Sequence, residues 1–189
     1  MKRREIVLAM LLFIGILPVC AQPKISFFEE HIDFELDSIY FTVNGIYSFR
    51  NLTDKANNQC IIFPFAVETP QIDSINIINL NNLSRISFLH LKKAVAFEIN
   101  LLPYDTVDVN IFYKQQTVEK NTYIVTSTQS WRRALKKAVY TLTSALPIDE
   151  SRFSYPFISK EIRDNKMFYH WEETDFMPDK EFEVFIKSF

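Results

Sequence analysis

The densest charge cluster in the sequence is Trp131-Arg132-Arg133, followed by Lys136 and Lys137. Guanidinium and ammonium groups at this spacing suit a phosphate, sulfate or carboxylate on an envelope glycan, a lipid head group or a protein partner. The plainer reading is the solvated face of a helix. Arg132, Arg133, Lys136, Lys137 and Trp171 are the candidate ligand-binding residues. Metal chemistry has less to work with. His31, His90 and His170 sit in separate segments, with no zinc-finger spacing and no helical i,i+4 pair. Glu29, Glu30 or Asp33 could join a histidine only if the fold assembled them. Glu172-Glu173-Thr174-Asp175 and Asp179 offer carboxylates to calcium, but not at EF-hand spacing. Glu98, Glu172 and Asp175 are the carboxylates available for glycoside hydrolysis, which needs two of them about 5 to 9 Å apart. Ser87 and His90 would point to opposite faces of a strand, so they make no nucleophile and base pair. No catalytic residue, metal or cofactor is assigned.

The 18 phenylalanines are core residues by chemistry, having no polar handle. Tyr40, Tyr47, Tyr104, Tyr113, Tyr155 and Trp171 could instead line a flat sugar-stacking face. Cys60 leads the apolar run Cys60-Ile61-Ile62-Phe63 and is read as a small buried hydrophobe.

Met1-Lys-Arg-Arg, the uncharged apolar run Ile6 to Val19, and Val19 and Ala21 before Gln22-Pro23 have the layout of an export signal cut after Ala21. The run is short for a membrane span, which takes about 20 residues; an uncleaved anchor is the alternative. Leu17-Pro18-Val19-Cys20 is similar to a lipobox, although Val19 stands where a small residue is usual. Lipidation of Cys20 would tether the protein to a membrane. Cleavage leaves 22–189 as one domain of 168 residues with a net charge of −4, since the leader carries Lys2, Arg3, Arg4 and Glu5. That charge offers no basic field to nucleic acid. The sole remaining cysteine forbids an internal disulfide, so packing alone must hold the fold. Gly45 is the sole remaining glycine, which excludes P-loop, dinucleotide and nucleophile-elbow chemistry.

The elements that must position any site are strands. In His31 to Asp37, Ile32, Phe34 and Leu36 alternate with His31, Asp33 and Glu35. Ile39 to Phe49 continues as β, with Gly45 a candidate bulge. Cys60 to Val67 reads as a strand covered on both faces. Further strands are expected over 72–78, 85–91, 94–101, 106–114, 122–127, 140–146, 168–171 and 182–187, with a turn at Asp175 to Asp179. Over 130–138 the period changes: Trp131, Leu135, Ala138 and Leu142 share a helical face, predicting one short helix. Closely spaced strands with little helix between them predict an all-β, two-sheet antiparallel β-sandwich.

Four phrases, Tyr47-Ser-Phe-Arg-Asn51, Phe63-Pro64-Phe65, Tyr123 to Trp131, and Asp175-Phe-Met-Pro-Asp179, occur in an order that resembles exported bacterial β-sandwich domains. The resemblance implies a β-sandwich and an exported compartment, and it brings no catalytic residues. The expected function is that of an exported, periplasmic or extracellular, non-enzymatic protein of the cell envelope that binds a protein or glycan. A carbohydrate-binding module and a carboxylate-dependent hydrolase are the alternatives.

Overall fold

The structure, a computed structural model, describes residues 24–68 and 71–187; the expected leader and Cys20 lie outside them. The chain forms β1 (Ile25–Leu36), β2 (Tyr40–Asn51), β3 (Asn57–Pro64), β4 (Ile72–Asn79), β5 (Ser84–Arg85), β6 (Phe88–His90) and β7 (Ala94–Leu101). There follow β8 (Thr106–Gln116), β9 (Lys120–Tyr123), β10 (Leu135–Ser144), β11 (Ser159–Arg163), β12 (Lys166–Phe176) and β13 (Phe182–Phe185). One eight-stranded sheet runs β11-β12-β10-β1-β2-β8-β4-β5, and two smaller sheets, β3-β7-β6 and β13-β9, form the opposing layer. The fold is an all-β sandwich whose second layer is split.

Period-two alternation builds this arrangement. Along β1, Ile32, Phe34 and Leu36 are buried, while His31, Asp33 and Glu35 face solvent. The Phe34 ring lies 4.8 Å from Phe182 of β13 and 5.4 Å from Phe41 of β2. Phe63 of β3 packs 5.3 Å from Tyr47, and Phe65 packs 4.8 Å from Tyr113 of β8. Thus β13-β9 covers the half of the large sheet around β1 and β10, and β3-β7-β6 covers the half around β2 and β8. All three sheets share one hydrophobic core, and a seam runs between the two small ones.

Several local expectations give way to tertiary pairing. The helical segment is a 3-10 turn, Thr126–Trp131, ended by Arg132 in the left-handed region at φ 55°. Residues from Leu135 onward are strand, because β10 is claimed on both sides, by β1 and by β12. Lys136 and Lys137 are both exposed, and that break in alternation mimics a helical period. The β1–β10 pair is parallel, so the large sheet is not wholly antiparallel. The bulge falls between Phe27 and Glu29, not at Gly45, which pairs regularly with Ile32 and Ile111. The 85–91 strand is interrupted at Ile86 and Ser87, β3 is buried on one face only, and Cys60 is exposed rather than buried.

Where glycine is scarce, asparagine shapes the turns. Buried Asn51 donates from Nδ2 to the carbonyls of Lys55 and Leu102, at 2.7 and 2.8 Å, and accepts from the Thr53 amide at 3.0 Å. These bonds fix the β2–β3 loop with side-chain groups that mimic a backbone turn.

Gly45 is required for space. A Cβ there would lie 2.5 Å from the Tyr47 hydroxyl, 2.6 Å from its Cε2 and 2.7 Å from Ile32 Cδ1. The Tyr47 ring fills the room that the missing side chain leaves. Gly45→Ala is therefore expected to lose about 1–3 kcal/mol in urea unfolding, the usual cost of overpacking. Unchanged stability would show that Tyr47 has room to move.

Candidate functional site

The bulge in β1 sets the chemistry of the interior. It lets Phe27 and Glu30 both face inward, placing a carboxyl between the layers where it retains 4% of its exposure. Burial of an unpaired charge is costly, so the group needs hydrogen-bond donors. Tyr140 of β10 donates to Glu30 Oε1. Tyr123 of β9 donates to Oε2 at 3.4 Å. The Tyr47 and Tyr123 hydroxyls are 3.1 Å apart, and with Tyr123 committed to Glu30, Tyr47 is the donor to Tyr123. A chain of hydroxyls thus ties both layers to one carboxyl.

Burial pushes the Glu30 carboxyl up to about 7, outweighing the tyrosine hydrogen bonds that favour the ionised form. Burial first, and then the nearby Glu30 charge, raise Tyr47, Tyr123 and Tyr140 well above the ordinary tyrosine range. All three remain neutral donors while the carboxyl exchanges its proton near neutrality.

Glu30 also lines a cleft of about 290 Å³ along the seam. Phe27, Tyr47, Phe49 and Ile111 of the large sheet form its floor, residues 59–64 of β3 form one wall, and Tyr123, Ser127, Ser130 and Trp131 form the other. The rings of Phe27, Phe49 and Trp131 make a continuous aromatic surface, with centroids 5.2 to 6.0 Å apart. Ser130 on the turn wall is exposed, and Cys60 and Ile62 alternate with buried Ile61 and Phe63 so that they face outward from the β3 wall. The Trp131 wall is pinned from outside. Glu181 accepts from the amides of Val125 and Thr126 at 2.8 and 3.1 Å, and Gln129 donates to the Pro178 carbonyl at 2.7 Å. Such a concave, mainly apolar space with a few convergent polar groups is suited to a small ligand.

The residues singled out from sequence are mostly elsewhere. Trp171 is 1% exposed, its ring 5.1 Å from Phe182 and its indole N–H donating to the Tyr155 carbonyl at 3.0 Å; it is a core residue and presents no face to a ligand. The basic cluster is dispersed. Arg132 and Arg133 are exposed at the turn, Lys136 lies 5.9 Å over the Phe28 ring, and Lys137 pairs with Glu172 at 2.9 Å, lowering that carboxyl. Tyr47 and Tyr113 are buried, Tyr40 and Tyr155 are partly buried, and Tyr104 is exposed, so these rings do not form one flat strip.

His31 and Glu30 emerge on opposite faces of β1 and cannot share a metal. His31 neighbours Asp33 at 3.6 Å, His170 neighbours Glu172 at 3.9 Å, and His90 packs on Phe88. Among the described residues, no three His, Cys, Asp or Glu side chains converge as metal ligands. Nor is any helix there long and apolar enough to cross a membrane. The sequence gives Tyr123 and Tyr140 no chemical role, and offers Glu30 only as a companion for a histidine. The available signal was the alternation itself: counting back two from Ile32 places Glu30 on the core face.

Because Glu30 is raised in the folded state, its contribution to stability is present below the ordinary carboxylate range and is lost as pH rises towards about 7. The cost is roughly 3 kcal/mol. Glu30→Gln, which cannot ionise, is expected to gain stability relative to the native chain between pH 4.5 and pH 8, measured by denaturant unfolding at both values. An offset that is the same at both would mean that Glu30 does not titrate across this interval.

The fold is similar to that of a candidate nutrient-binding protein from Legionella pneumophila, with a TM-score of 0.72 and 13% identity over 86% of this chain and 67% of that one. It is also similar to part of an M1 zinc metallopeptidase from Deinococcus radiodurans, with a TM-score of 0.51 and 8% identity over 87% of this chain and 42% of that one. This chain spans less than half the length of that peptidase. No protein-family model and no curated protein matches the sequence. At these identities the likeness establishes a shared all-β fold.

Proposed function

We propose that this is an exported, non-enzymatic binding protein of the cell envelope, and that it holds a small, largely apolar molecule in the cleft between its two small sheets. The observation that carries the reading is the cleft itself, aromatic on its floor and on the Trp131 wall, with one hydrogen-bonded carboxyl at depth. The nutrient-binding assignment of the Legionella pneumophila protein supports a binding role for this architecture. Export rests on the sequence of residues 1–21. Membrane contact enters this reading only through the leader or a lipidated Cys20.

The geometry favours binding over hydrolysis. Among the described residues lining the cleft, Glu30 is the sole carboxylate, whereas glycoside hydrolysis uses a pair. It also favours a small ligand over an extended glycan, since among the described tyrosines Tyr104 alone is exposed and no strip is formed. A ligand here would touch Trp131 directly and leave Trp171 in its core environment.

Indole and 4-methylphenol, added at millimolar concentration to the isotopically labelled protein, provide the test. The expected result is amide shifts concentrated at 59–64 and 127–131, with the Trp131 indole signal moving and that of Trp171 fixed. Shifts confined to the outer face of the large sheet, or absent altogether, would contradict the reading.

A further inference from the structure

We propose that the cleft selects small organic cations, holding an ammonium group against Glu30 and an aryl or alkyl body against Phe27, Phe49 and Trp131. This inference rests on the binding role proposed above and specifies the chemical class of its ligand.

Charge is the first feature of the cleft that favours a cation. Glu30 is the one carboxylate of the cleft, and no lysine, arginine or histidine lines it among the described residues. An anionic ligand would enter a site with no counter-charge and meet a carboxyl at its base. A cation would compensate a carboxylate that burial otherwise penalises. The second is hydrogen-bond capacity. An ionised carboxylate offers about four acceptor positions, and the hydroxyls of Tyr140 and Tyr123 occupy one on each oxygen. The remaining positions can accept from an ammonium. The third is the wall. Phe27, Tyr47, Phe49 and Trp131 form one cluster, with centroids 5.2 to 6.1 Å apart. Aromatic rings stabilise a cation through their electron-rich faces while also accepting an apolar body. A volume of about 290 Å³ suits a compact amine and falls at the small end of ligand pockets.

Binding of this kind is linked to one proton. A carboxyl raised to about 7 is largely protonated at pH 6 and must ionise to pair with ammonium. The groups facing it are the hydroxyls of Tyr47 from β2, Tyr123 from β9 and Tyr140 from β10, all held neutral; β3 contributes the buried apolar side chains of Ile61 and Phe63, and its Cys60 lies exposed on the outer face of that strand. The 3-10 turn contributes Ser127, Ser130 and Trp131, none of which carries charge.

Three probes of similar shape separate the ideas: 2-phenylethylamine, 2-phenylethanol and 3-phenylpropionate, titrated into the intact mature protein by calorimetry and by shifts of the Trp131 indole signal. The expected result at pH 8 is that the amine binds at least tenfold more tightly than the alcohol and that the carboxylate does not compete. Amine affinity should fall about tenfold between pH 8 and pH 6, as linkage to one group of this pKa requires. In Glu30→Gln, amine and alcohol should bind within about threefold of each other. The comparison of probes and the pH series both use the native chain, so they stand even if that variant folds poorly. Equal binding of amine and alcohol, preference for the carboxylate, or an affinity independent of pH would overturn the inference while leaving the binding role intact. No binding by any of the three would overturn both.

Discussion

A carboxyl group enclosed between two apolar layers is the constraint around which this molecule is arranged. Glu30 is satisfied only because Tyr140 and Tyr123 donate to it, and Tyr123 is itself held by Tyr47. Those three tyrosines come from β10, β9 and β2, so the carboxyl ties the large sheet to the β13-β9 sheet. Each donor has its own structural precondition. Tyr47 needs the empty side-chain position at Gly45. Tyr140 needs β10 alongside β1, and that parallel pair joins segments more than a hundred residues apart. Removing any of these supports would leave a buried polar group without its partner, which costs more than the lost bond would contribute.

The same arrangement explains why the cleft lies where it does. A continuous second sheet would seal the inner face of the large one. Here the layer is divided, with Phe63 and Phe65 closing one half over Tyr47 and Tyr113 and Phe182 closing the other over Phe34. The interval between is bounded by β3 and by the 3-10 turn that carries Trp131. Glu181 and Gln129 anchor that turn from outside the cleft. The polar chemistry sits on strands while the Trp131 wall sits on a pinned turn, a division suited to positioning one charge within a small apolar space.

Much of the architecture was legible in the residues. Alternation at His31 to Asp37 identifies a strand, close regular spacing places others such as 94–101 and 106–114, and the lack of long helical patterns identifies the fold class. Pairing was not legible. Nothing local indicates that β10 lies parallel to β1, or that residues 135–138 extend when Trp131, Leu135, Ala138 and Leu142 also fit a helix. The residues of the cleft are not legible for a related reason. Attention to exposed charge selected Arg132, Arg133, Lys136 and Lys137, which the fold spreads over a turn and an outer face. Attention to aromatic count selected Trp171, which the fold buries. The informative residue was a glutamate on the apolar side of an alternating strand. Its meaning depends on hydroxyls from Tyr123 and Tyr140, about 90 and 110 positions further along the chain.

All of this turns on Glu30 titrating near neutrality with its charge coupled to the cleft. Carbon-detected resonance of the Glu30 side-chain carboxyl, followed against pH with and without 2-phenylethylamine, measures both at once. The account predicts a midpoint at about 7 in the free protein that moves to lower pH as the amine occupies the cleft. A midpoint in the ordinary carboxylate range, unmoved by the amine, would contradict it.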